Sequence, residues 1–279
     1  MLSLSWGPFA LATHHLVLLG ALVLATVVGW LSGRPRKINP DQALFGLFLL
    51  GLVVARAAFV AAYWQQYHGD LLQIIDIRDG GFIAWPGVLA VLLGGAVRGC
   101  KQNASRLPLG AGVVSGLLFW WLANLVLSTQ QEARLPDLVL KNAAGESVQL
   151  SELEGKKLVI NLWATWCPPC RREMPVLQAA QKDNADVVFL FVNQAQTPRE
   201  VATFLASQNL HLNNVLFDAS GSLAQQVGSA ALPTTLFYNP DGRLLGSHLG
   251  ELSSASLKRF LNALSDSAAM PSFQARSTP

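Results

Sequence analysis

Apolar positions run almost unbroken through residues 1–128, then break into short runs punctuated by polar turns. The first half contains four apolar stretches, at about 9–32, 43–64, 82–97 and 110–128. The first, second and fourth are long enough to cross a hydrocarbon core of about 30 Å at about 1.5 Å per residue. The third, Phe82 to Val97, is shorter and contains Pro86, which leaves either a tilted span or a re-entrant segment. We read it as a span. The pattern therefore predicts a multi-span α-helical membrane domain of about four helices over residues 1–128.

A polar linker at 129–134 leads to a segment, 135–267, with the patterning of an ordinary globule. Leu138–Leu140 and Ser147–Leu150 read as a hairpin across Asn142–Gly145. Lys157–Ala164, with its run Leu-Val-Ile-Asn-Leu-Trp-Ala, and Val187–Val192 read as buried strands, and Val215–Phe217 is a shorter strand. Helical patterns follow at Pro168–Lys182, Pro198–Gln208, Ser222–Val227 and Ser254–Leu264. Thr234–Tyr238 and Arg243–His248 form a second hairpin over Asn239-Pro-Asp-Gly242. The tail at 268–279 is small and polar and is expected to be disordered. The domain is thus α/β, with no internal repeat.

Composition supports the division. Hydrophobic residues make up 51% of the chain, charged residues only 13%, and mean hydropathy is +0.35. A soluble globule carries about 25% charged residues, so part of this chain belongs in lipid. Residues 1–128 hold eight Lys/Arg against four Asp/Glu, and the remainder holds twelve against thirteen. Arg34, Arg36 and Lys37 fill the first loop, and Arg98, Lys101 and Arg106 the third. The loop between them, Gln65 to Gly81, carries Asp70, Asp76 and Asp79 against Arg78 alone. Positive-inside then puts loops one and three in the cytoplasm and everything after residue 128 outside. The N-terminus lacks the basic region and cleavage motif of a signal peptide. No basic face with interleaved aromatics appears in the second half, which argues against nucleic acid as a partner. Arg56 lies inside the second apolar stretch. It is either a functional intramembrane charge, or it snorkels or pairs with an aspartate of loop two.

The chemistry concentrates at Trp163-Ala-Thr-Trp-Cys167-Pro-Pro-Cys170-Arg-Arg-Glu173-Met-Pro175. Cys167 falls where a buried strand ends and a helix begins. The free N–H groups and positive end of that helix favour the thiolate, which is the attacking species. Two intervening residues bring Cys170 round to bond it, so Cys167 is the expected nucleophile and Cys170 the resolving thiol. Pro168 and Pro169 suit a first helical turn, where a missing N–H costs nothing. Further along, Ala231-Leu232-Pro233-Thr234-Thr235 places a proline just before a strand, the position of a cis-proline facing the redox pair. Leu232 would offer backbone hydrogen bonds to an extended substrate. Trp163 reads as core and Trp166 as rim, shielding the sulfur and contacting substrate. The pair reads as redox-active rather than half of a zinc site, because no second pair or nearby His completes four ligands. Cys100 reads as a bystander thiol, and His211 and His248 as surface residues. No cofactor or metal is implied.

Trp-Cys-Pro-Pro-Cys-Arg-Arg-Glu and Leu-Pro-Thr-Thr together resemble the TlpA/ResA branch of thioredoxin-like proteins, over about residues 134–266. The resemblance implies a thioredoxin-like fold, nucleophile Cys167, resolving Cys170, cis-Pro233 and an acid/base role for Glu173. Ordinary thioredoxins carry a buried Asp six residues before the first Cys; here that position is Asn161, which cannot titrate. Two prolines between the cysteines, with no His to stabilise the thiolate further, point to a reductant of protein disulfides. In a bacterial inner membrane the outer domain would face the periplasm. A reductant there needs recharging, and the membrane half has no cysteine pair, so a DsbD/CcdA-type transmembrane electron donor is the expected partner. A thiol oxidase or isomerase is the alternative in the same class. A copper chaperone is another, though it lacks the usual extra His or Met beside the pair.

A second resemblance covers about residues 15–100. Gly51-Leu-Val-Val-Ala-Arg56, Tyr63, Tyr67 and Asp79-Gly-Gly81 resemble the first half of prolipoprotein diacylglyceryl transferases. Where that family has His-Gly-Gly this chain reads Ile83-Ala-Trp85-Pro86-Gly87, and the later Gly-Arg-x-Gly-Asn-Phe signature is absent. The expectation is a repurposed membrane scaffold, with lipid transfer as the alternative activity.

Overall fold

The computed structural model describes residues 3–6, 9–67, 71–129 and 133–269. The centre of the linker, Asp70 and the tail from 270 lie outside the described residues. The chain forms two compact units, the first here being residues 11–130 and the second residues 131–279 with residues 1–10.

In the first unit four helices follow one another: α1 (Thr13–Gly33), α2 (Asp41–Ala62), α3 (Ala84–Lys101) and α4 (Arg106–Thr129). Before them, Ser3–Trp6 (β1) and Phe9–Ala12 (β2) pair as a two-stranded sheet, so the first helix starts later than its apolar run. Among the described residues three helical stretches are long and apolar enough to cross a membrane: α1, α2 and Asn103–Leu127, which takes in most of α4. The remaining helix, α3, has 18 residues and ends on Arg98 and Lys101. Pro86 sits in its first turn, where a missing N–H breaks no bond, so it gives no reason for a break in the helix.

Small residues bring the helices together, as expected where lipid supplies no hydrophobic drive between them. A Cβ on Gly112 would lie 2.8 Å from the Ala25 carbonyl oxygen, and one on Gly116 would lie 3.1 Å from that of Ala21, so α1 and α4 touch backbone to backbone. Gly87 and Gly51 do the same for α3 and α2, where a Cβ on Gly87 would meet the Gly51 oxygen at 2.6 Å.

Arg56 does not snorkel. Its guanidinium is buried and donates to the Ile74, Gln73, Asp76 and Gly81 carbonyls and to Asp79, at 2.7–3.0 Å. Those contacts use all five of its N–H groups. The expected pairing with a loop-two aspartate is the one observed, to Asp79 at 2.9 Å. Gly81 is required there, because a Cβ would sit 2.5 Å from Arg56 Nη1.

The second unit is built on a seven-stranded sheet. Its strands are β3 (Val139–Asn142), β4 (Ser147–Gln149), β5 (Lys157–Trp163), β6 (Val187–Gln194), β7 (Val215–Asp218), β8 (Thr234–Tyr238) and β9 (Leu244–Leu249), in the order β4-β3-β7-β6-β5-β8-β9. Central β5 pairs parallel with β6 and antiparallel with β8. Helices α5 (Pro168–Asp183), α6 (Pro198–Ser207), α7 (Ser222–Gln226) and α8 (Ser254–Ala269) complete it. From Leu158 to Trp163 every side chain of β5 is buried, which is why its sequence is apolar apart from Asn161. Alternate residues serve two cores: Val159 and Trp163 join the cluster of α5 and α8, while Leu158, Ile160 and Leu162 join that of Leu216 and Leu223.

His248 is a correction: it is buried at 9% exposure, its Nε2 3.2 Å from the Glu251 carbonyl oxygen. The alternation of β9 puts it on the covered face with Leu244 and Gly246, a period-two signal already present in the sequence. His211 is exposed, as is Cys100.

Candidate active site

Strand β5 ends at Trp163, and the chain turns through Ala164-Thr-Trp into α5 with Cys167 as its N-cap. The Cys170 N–H donates to Cys167 Sγ at 3.3 Å, an orphan donor of the first turn aimed at the sulfur. Pro168 and Pro169 occupy the first two helical positions. Cys167 and Cys170 are joined by a disulfide, with Cα atoms 5.3 Å apart. Cys170 is fully buried and Cys167 retains 3% exposure, so what little access exists is to Cys167. Trp166 beside it is 67% exposed, a rim residue, and Trp163 is core. Gln196 fixes the turn, accepting from the Thr165 N–H at 2.8 Å and donating to its hydroxyl at 2.6 Å.

The Leu232–Pro233 peptide is cis, the isomer the motif implies. Pro233 is buried, half-buried Leu232 packs against both cores, and the Pro233 carbonyl accepts from the Gly250 N–H at 2.9 Å. The loop after β9 is thereby tied to the proline loop. It is tied to α5 as well, through Arg172 and Glu251 at 2.6 Å.

Glu173 lies one helical turn beyond Cys170, on the same face of α5. It is 1% exposed, which excludes a solvated first-turn acid. Burial pushes its carboxyl up to about 8, although the Leu252 N–H and the Asn161 amide, which favour the ionised form, pull the other way. Leu252 N donates to one oxygen at 3.0 Å and Asn161 Nδ2 to the other at 2.8 Å. Asn161 Nδ2 also reaches Thr235 Oγ1 at 3.0 Å, so the residue in the position of the thioredoxin aspartate links Glu173 to the strand after Pro233. Asn161 Oδ1 is buried without a partner among the described residues. Sequence reasoning did not single out Thr235 or Leu252. Thr235 lay in the quoted motif, but the backbone N–H of Leu252 leaves no trace in side-chain identity.

Met174, the next residue of α5, is fully buried in the cluster that holds both cysteines. This thioether serves as packing.

A Redoxin family profile matches residues 130–264. Thioredoxin-like protein YneN of Bacillus subtilis is 31% identical over 137 residues, covering 48% of this chain and 79% of that protein. The chain belongs to the TlpA/ResA-like thioredoxin family. Thiol-disulfide oxidoreductase ResA of Oceanobacillus iheyensis is 35% identical over 133 residues, 46% of this chain and 69% of its own. A solved structure of MTB dsbF in mixed oxidized and reduced forms shares 26% identity over 47% of this chain and 98% of its own, at a TM-score of 0.44. A member of this family carrying a Cys-Pro-Pro-Cys disulfide is a thiol–disulfide oxidoreductase, acting on the disulfides of other proteins.

Proposed function

We propose that this oxidoreductase is anchored in the bacterial cytoplasmic membrane by four spans and reduces protein disulfides on the periplasmic side. The observation that carries the reading is the Cys167–Cys170 pair at the start of α5, with a buried, proton-holding Glu173 one turn behind it. In the reduced enzyme the Cys167 thiolate attacks a substrate disulfide, forming a mixed disulfide and releasing one substrate thiolate. Cys170 then attacks Cys167 Sγ, releases the second substrate thiolate and closes the enzyme disulfide. Two electrons pass to the substrate. Glu173 would take the Cys170 proton as that thiol attacks and return it when the pair is reduced, a role its burial one turn beyond Cys170 supports. A carboxyl raised to about 8 can take up and give back a proton near neutral pH. Trp166 and the Leu232 backbone would line the path of an extended substrate.

Orientation rests on the basic first and third loops and the acidic second. Four spans keep both basic loops on one side, and α3 supplies the fourth. With no cysteine pair in the membrane unit, electrons must come from a separate transmembrane carrier of the DsbD/CcdA kind.

The test is trapping. Cys170→Ser should leave Cys167 in stable mixed disulfides whose protein partners can be identified, and the wild-type pair should be mostly reduced in cells. Absence of any Cys167-dependent adduct would remove the activity. A pair found mostly oxidised with the carrier intact would remove the reductive direction.

A further inference from the structure

Between α2 and α3 the chain turns its backbone inward and its apolar side chains outward. Arg56 takes the carbonyls of Gln73, Ile74, Asp76 and Gly81, while those of Leu72 and Ile77 accept from the Ile75 and Gly80 N–H groups. On the other side Leu71, Leu72, Ile75 and Ile77 are 60–79% exposed. Among the described residues of the segment, Arg78 pairs with Asp76 at 2.6 Å and Asp79 with Arg56 of α2. Trp64 precedes the segment and Trp85 follows it, both exposed.

A loop in water does the reverse, solvating its backbone and burying or omitting large aliphatics. Irregular backbone at membrane depth is tolerated only where protein satisfies its polar groups, and tryptophan gathers at the headgroup level. Both conditions are met here. We propose that residues 71–77 are a lipid-facing cap, seated at the headgroup–acyl boundary of the leaflet that meets the C-terminal end of α2, with Arg56 holding its backbone from inside the bundle. The inference rests on the membrane-spanning reading above. Lipid is the occupant because the flanking helices continue the same kind of surface, with Val53 of α2 and Leu93 of α3 exposed at 65% and 66%. The bidentate Asp76–Arg78 pair suits the polar edge of that boundary, where a long cation keeps its head near water.

Nitroxide labelling of the full chain tests it. In a Cys100→Ser background with Cys167–Cys170 kept oxidised, labels at Leu72→Cys and Ile75→Cys are compared with Val53→Cys on a span and Val139→Cys in the outer unit. The protein is held in phosphatidylethanolamine–phosphatidylglycerol vesicles. Collision with oxygen relative to a water-soluble nickel chelate should be severalfold higher at both loop sites than at Val139→Cys, and lower than at Val53→Cys deeper in the span, as a boundary position requires. Nickel access at Leu72→Cys and Ile75→Cys, with Val53→Cys still reached only by oxygen, would overturn the cap and leave the membrane reading standing. Nickel access at Val53→Cys as well would overturn both. Shielding of the loop labels from both reagents would mean that protein covers the segment, and would overturn lipid as its occupant.

Discussion

At the scale of single residues, one buried carboxyl governs the pH behaviour of the site. Glu173 is raised from an ordinary value of 4.5 to about 8, with burial as the leading cause. A folded state that holds a proton the unfolded chain has released loses stability as pH rises. Its contribution is whole below about 4.5, declines between about 4.5 and 8, and is constant above, with a slope of at most about 1.4 kcal/mol per pH unit. Glu173→Gln should flatten that decline in the thermal unfolding of the outer unit. If Glu173 is the general acid–base proposed, the same change should also slow disulfide exchange by about a hundredfold and erase the limb of the pH–rate profile near 8. An unchanged profile would leave Glu173 a structural group. The sequence pointed to this residue but not to its surroundings. Its place three residues past Cys170 is visible in one dimension, whereas its burial against Leu252 and Asn161 depends on a loop about eighty residues downstream.

At the scale of elements, close contacts between backbones decide what can vary. The crossing of α2 and α3 rests on Gly51 and Gly87, and the atom that a Cβ on Gly87 would strike is a main-chain oxygen, which cannot rotate away. Gly87→Leu should therefore separate the two helices and destabilise the membrane unit by about 2 kcal/mol or more, read as a lower denaturation midpoint in detergent. Gly110→Leu is the matched control, because nothing lies within 4 Å of the Cβ it would gain. Equal effects from the two would show that the contact contributes little. Helix α5 combines the same kind of local constraint with chemistry. Its two leading prolines and the Cys170 N–H facing Cys167 Sγ are set by sequence alone, since an N-terminal turn presents its donors whatever packs behind it.

At the scale of the whole molecule, the proposed orientation gives the two units different surroundings. If loops one and three are cytoplasmic, Cys100, exposed near the end of α3, should resist a membrane-impermeant maleimide applied to intact spheroplasts and react once they are permeabilised. Protease added outside should release the outer unit under the same conditions. Labelling of Cys100 from outside would invert the arrangement and place the redox pair in the cytoplasm, where no transmembrane relay is needed.

The sequence by itself determined the apolar helices, the α/β order, the redox pair and the proline loop, because each depends on local periodicity or on spacing within one turn. The third apolar stretch is a helix because its proline falls in the first turn, where it breaks nothing. Only the tertiary structure decided how the isolated polar residues are used. Arg56 became a brace for loop two, His248 an interior residue, and Asn161 a link between Glu173 and Thr235. Each of those outcomes depends on which distant segment covers the side chain, and a buried polar group takes its partners from that segment.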